Sequence, residues 1–80
     1  MNMHSIEAFL AVAETGSFTG AARRLDKTQS AVSQAIRQLE DELGVVLIDR
    51  ASRQIALTSA GDLLRGKAAQ LVEDLKAMTS

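Results

Sequence analysis

The chain has 80 residues, of which 46% are apolar and 2% aromatic, with a formal net charge of -1 and no cysteine. So short a chain forms one small domain with a modest core; it buries only about 60% of its unfolded surface and gains from a partner subunit. Disulfides and thiolate metal sites are excluded, no apolar run approaches the roughly 18 residues of a membrane span, and no basic segment followed by an apolar run marks a signal peptide, so the cytoplasm is the expected location.

Met3, Ile6, Phe9, Leu10 and Ala13 share one helical face, which predicts a first helix over residues 3 to 15, stopped by Gly16. Ser17 caps a shorter second helix through Leu25, with Ala21, Ala22 and Leu25 turned inward and the two alanines small enough to admit a close neighbour. Asp26 and Lys27 form a tight turn. Thr28 then caps a third helix that runs to Leu43 and stops at Gly44. Helix, short turn and amphipathic helix is the helix-turn-helix arrangement.

Beyond Gly44 the pattern changes. Val45 to Ile48 are apolar, Asp49 to Gln54 polar, and Ile55 and Leu57 alternate with polar or small residues. This predicts two strands of about three residues each joined by a polar, basic loop, a wing in outline. Thr58 caps a last helix, with Asp62 favourably placed in its first turn. Leu64, Ala68, Leu71, Leu75 and Met78 follow a 4-3-4-3 spacing along it. Such a seam suits a partner helix in a homodimer; docking on the subunit's own core is the other reading. The expected fold is therefore mainly α: a winged helix-turn-helix of three helices and a two-stranded wing over residues 1–58, then a dimerisation helix over 59–80 in the same structural unit. The chain stops while that helix is still patterned, as a piece of a longer protein would.

The segment from Thr28 to Arg37 carries the functional signal. At about 100° per residue, Ser30, Ser33, Gln34 and Arg37 fall within roughly 100° of one another, while Val32, Ile36, Leu39 and Leu43 occupy a separate arc. Hydroxyls, an amide and a guanidinium on one side suit the base edges of a DNA major groove. The net charge argues mildly against nucleic acid. However, Arg23, Arg24, Lys27, Arg37, Arg50 and Arg53 all lie between residues 23 and 53, which allows a locally basic surface on an acidic chain.

The chain resembles the DNA-binding domain of LysR-type transcriptional regulators over nearly its whole length. The resemblance rests on Phe9-Leu10-Ala11-Val12-Ala13-Glu14, Gly16-Ser17-Phe18-Thr19, Ala21-Ala22, Leu25, Thr28-Gln29-Ser30-Ala31-Val32-Ser33, Ile36, Leu39-Glu40, Leu43-Gly44-Val45, Leu47, Arg50, Arg53, Leu57-Thr58 and Ala60-Gly61. It implies a dimer whose third helix enters the major groove and whose wing reaches the flanking minor groove of an A/T-rich inverted repeat. It also implies a small-molecule inducer, sensed by a C-terminal domain absent from these residues. Two departures stand out: Ile48 where the family commonly has Phe, and Gln34 where many members carry Arg. Gln pairs with adenine N6 and N7, whereas Arg favours guanine, so the preferred base shifts at that position.

On this reading Gln29, Ser30, Ser33 and Gln34 contact bases, with Ser30 equally suited to starting the helix. Thr28 caps the helix and meets a phosphate. Arg37 suits a phosphate or a plain solvated surface. Arg53, at the wing tip, probes the minor groove. Arg50 either touches a phosphate or braces the fold against Asp49 or a third-helix carboxylate. Arg23, Arg24 and Lys27 either flank the DNA backbone or form a solvated face. Glu40-Asp41-Glu42 reads as a solvated face, since consecutive helical residues diverge. His4 is the sole histidine, so zinc and triad chemistry lack partners, and the glycines form no phosphate-binding loop. No cofactor and no enzymatic activity are expected. The alternative from another class is a winged-helix docking or dimerisation module that does not bind DNA.

Overall fold

A computed structural model describes residues 2–51 and 54–79. Four helices and one hairpin follow in order: α1 (Met3–Thr15), α2 (Phe18–Leu25), α3 (Gln29–Leu43), β1 (Ile48–Asp49), β2 (Ala56–Leu57) and α4 (Ser59–Thr79). Each helix start is held by a short polar side chain that accepts a backbone N–H otherwise left without a partner. Asn2 takes the N–H of Ser5, Ser17 that of Gly20, Thr28 that of Ala31 and Thr58 that of Gly61, all at 2.7–3.0 Å. Gly16 and Gly44 end α1 and α3 with left-handed φ of 74° and 71°, the conformation a side chain disfavours.

Helix α1 is the hub. It packs against α2, α3 and α4, and Ser5, Ile6, Ala8, Phe9, Leu10, Ala11 and Val12 are all buried. Its burial therefore extends well beyond the single face that periodicity predicts. Phe9, Val12, Val32, Ile36, Leu39, Leu47 and Ile48 form the centre of the core, with Ala21 and Ala22 letting α2 approach closely. Ile48 is fully buried and fills its place without an aromatic ring. A second, smaller cluster joins Ile6 and Leu10 of α1 to Ala68 of α4, with Met3, Leu64 and Val72 around it.

The wing is shorter than its apolar run suggests. Ile48 pairs with Leu57 and Asp49 with Ala56 in an antiparallel ladder of two residues per strand. Val45 and Val46 lie outside it and are exposed, Val46 at 62%. The backbone groups of this stretch are engaged elsewhere: the Val45 N–H closes the end of α3 on the Glu40 carbonyl, and the Val46 carbonyl accepts the Thr58 hydroxyl. Leu43 also departs from expectation; it is the last residue of α3 and stays exposed where the chain turns at Gly44.

Leu47 is clamped on both sides of its peptide. Its carbonyl accepts the Thr58 N–H at 3.0 Å, and Gly61 sits so close that a Cβ there would collide with the Leu47 carbonyl oxygen. Among the described residues, no helix is long and apolar enough to cross a membrane, and no group of three His, Cys, Asp or Glu could hold a metal ion.

Candidate nucleic-acid interface

The turn between α2 and α3 is built by three consecutive residues. Asp26 adopts a left-handed φ of 55°, and the Lys27 N–H reaches back to the Ala22 carbonyl at 2.9 Å. This is the wrap-back closure of a helix end, with Asp where Gly is more usual. Thr28 is extended and accepts the Ala31 N–H through Oγ1 at 3.0 Å, which leaves its own hydroxyl hydrogen to donate. The turn fixes the direction of α3 relative to α2 within three residues.

Helix α3 then sorts its side chains cleanly. Val32, Ile36 and Leu39 are buried, while Thr28, Gln29, Ser30, Gln34 and Arg37 are exposed and Ser33 is half-buried. The residues expected on the reading face are thus brought to one side of α3, all exposed but for half-buried Ser33. Arg37 is exposed and, among the described residues, makes no ion pair. Arg23, Arg24 and Lys27 are exposed beside the turn; Arg24 is tied to Glu14 of α1 at 2.8 Å. Both members of that pair are well exposed, so its contribution to stability is small. Asp41 is exposed further along α3.

Arg50 is held in the arrangement of a brace. Its guanidinium lies 5.3 Å over the Phe18 ring, and Nη2 is 3.8 Å from Oε1 of Glu40. Nε and Nη2 are buried without a hydrogen-bond partner, so ring face and carboxylate together hold the charge. Asp49 is engaged differently, with Oδ1 accepting the Ala51 N–H at 2.9 Å inside the wing. Arg53, the residue expected at the wing tip, lies outside the described residues.

Glu40 belongs to no solvated face. Its carboxylate Oε2 accepts the N–H groups of both Leu47 at 2.8 Å and Ile48 at 3.3 Å. Periodicity gives no sign of this, because the bonds reach seven and eight residues along the chain through a turn. The pairing of Arg50 with a third-helix carboxylate was one reading of the sequence; the grip on the two amides was not.

The apolar stripe of α4 is divided. Ala68 is 3% exposed and, with Leu64, packs on α1 of the same chain. Ala68 is covered by the subunit's own α1, so the expected seam is not one continuous exposed surface, while Leu64 is half-buried beside it. Leu71, Leu75 and Met78 remain exposed. With Met3, Leu10, Leu25 and Val72, Leu75 borders an open groove of about 490 Å³ between α1, the end of α2 and the end of α4.

Residues 3–62 match the model of the bacterial regulatory helix-turn-helix proteins of the lysR family. An HTH-type transcriptional regulator of Azotobacter vinelandii, from its ibpB-leuC intergenic region, is 47% identical over 76 residues, which are 95% of this chain and 53% of that protein. The HTH-type transcriptional regulator PtxR of Pseudomonas aeruginosa is 40% identical over 80 residues, all of this chain and 26% of that protein. The chain thus spans about half or less of the length of these relatives. Among solved structures, the BenM DNA-binding domain in complex with catB site 1 DNA superposes with a TM-score of 0.96 at 35% identity, covering 99% of this chain and 89% of that one. Full-length BenM carrying R156H gives 0.95 at 35% identity, covering 99% of this chain and 26% of that one.

Proposed function

Since the chain belongs to the lysR family of bacterial regulatory helix-turn-helix proteins, we propose that it is the DNA-reading end of a transcriptional regulator and binds an inverted-repeat operator as a dimer. The observation that carries this reading is the solvent-facing side of α3, where Thr28, Gln29, Ser30, Gln34 and Arg37 stand exposed opposite a fully buried apolar side. The likeness to a DNA-binding domain solved on its DNA site supports it.

In this reading Gln29, Ser33 and Gln34 meet base edges, and Gln34 favours adenine where an arginine would favour guanine. Ser30 lies at the helix start, within reach of either a base or a phosphate. Thr28 and Arg37 take phosphates, which fix register without reading sequence. Arg53 enters the flanking minor groove, and Arg50 supports the wing from behind. Residues 1–58 form the reading unit, and α4 joins two copies through Leu71, Leu75 and Met78, spacing their recognition helices along successive major-groove faces. The work is binding without catalysis, in the cytoplasm where promoter DNA is found.

Titrating the chain against promoter fragments at two salt concentrations tests this. Wild type is expected to bind selectively and to weaken as salt rises. Gln29→Ala and Ser33→Ala should each relax discrimination at one base position by about 1–3 kcal/mol, whereas Arg37→Ala should weaken all fragments alike and flatten the salt dependence. A demonstrated dimer that binds no fragment, or variants that keep full discrimination, would overturn the assignment.

A further inference from the structure

We infer that Glu40 is a positioning residue that sets the wing's direction relative to the recognition helix, so that the flanking minor groove is read in register with the major groove; the inference rests on the DNA-binding reading above. Glu40 follows Ser33 by seven residues, close to two full turns, so both lie along the same side of α3. The first half of that side presents the base-reading groups. The second half carries the carboxylate from which the wing hangs.

Three kinds of anchor meet at the wing root. The side chains of Leu47 and Ile48 are 1% and 2% exposed and hold the strand at its depth in the core. Apolar contact is non-directional, and the bonds from Thr58 to the Leu47 and Val46 carbonyls tie the strand to β2 and α4 rather than to α3. Glu40 adds direction: one charged oxygen accepts two consecutive amides, and such bonds are both stronger and angle-dependent. Its other oxygen faces Arg50, whose guanidinium lies on the Phe18 ring at the start of α2. Its backbone carbonyl takes the N–H groups of Gly44 at 2.8 Å and Val45 at 3.2 Å, so the same residue ends α3. The end of the recognition helix, the root of the wing and the start of α2 therefore converge on one side chain.

The test begins with a duplex selected by the wild-type chain from a randomised pool. Binding is then titrated on that duplex, on a copy with its flanking A/T tract changed to G/C, and on a copy with one half-site base changed. Glu40→Ala is expected to reduce the preference for the A/T flank by about tenfold while leaving the half-site preference within about twofold of wild type. Glu40→Gln keeps an oxygen for the two amides and should restore the flank preference. Equal weakening on all three duplexes, an unchanged flank preference, or a wild type indifferent to the flank overturns the inference and leaves the DNA-binding reading intact. A wild-type chain that enriches no duplex overturns both. Should Glu40→Ala lose its helical circular dichroism, Glu40→Asp, one methylene shorter, replaces it and the same three titrations decide.

Discussion

Helices α3 and α4 each carry an apolar stripe along one side, and the fold uses the two stripes differently. In α3, Val32, Ile36 and Leu39 all disappear into the core of the same chain. In α4, Ala68 does so, but Leu71, Leu75 and Met78 stay 44%, 38% and 79% exposed. The distance to α1 accounts for much of the contrast. Val72 still packs on α1, but Leu75 stands across an open groove from it, so the last half of α4 is only partly covered by its own chain. A repeating apolar pattern announces that a stripe is suited to burial; whether the same chain can supply the cover depends on what lies within reach.

Substitutions on the two stripes test that contrast. The largest effect is expected from Ile36→Ala, which empties a fully buried site and should cost about 2–5 kcal/mol in urea unfolding, equally at every protein concentration. That is a large share of the roughly 5–15 kcal/mol typical of a folded domain. Gly61→Ala comes next. Its new methyl meets the Leu47 carbonyl, a backbone group that cannot rotate aside, and should cost about 1–3 kcal/mol by the same measurement. Leu75→Ala should change the stability of the dilute, dissociated chain by no more than about 0.5 kcal/mol, while sedimentation shows the dimer dissociating at higher protein concentration. A loss from Leu75→Ala at dilution as large as that from Ile36→Ala would erase the distinction between the stripes.

The helices were legible in the sequence because their ends depend on local chemistry. Ser17, Thr28 and Thr58 act on N–H groups three residues away, and Gly16 and Gly44 stop helices through their own backbone freedom. The exposed side of α3 was legible for a similar reason, since period alone separates Ser30, Gln34 and Arg37 from Val32 and Ile36. The wing was legible only in outline. Val45 and Val46 look like strand residues, yet their hydrogen-bonding groups go to the end of α3 and to Thr58, partners that strand propensity does not reveal. Glu40 was missed for the same reason: its setting depends on a turn that brings Leu47 and Ile48 back against α3. The near-complete burial of α1, Ser5 included, comes from being enclosed by three neighbours, and a one-face pattern understates it.

The seating of Gly61 on the Leu47 carbonyl has a mechanical consequence. It removes the knuckle that a loop between hairpin and last helix would otherwise provide, so that α4 and the reading head turn as one lever. In a pair joined as proposed above, the two heads would then be held at a separation set by their levers. The gap tolerated between operator halves would then be set by the fixed angle of that junction.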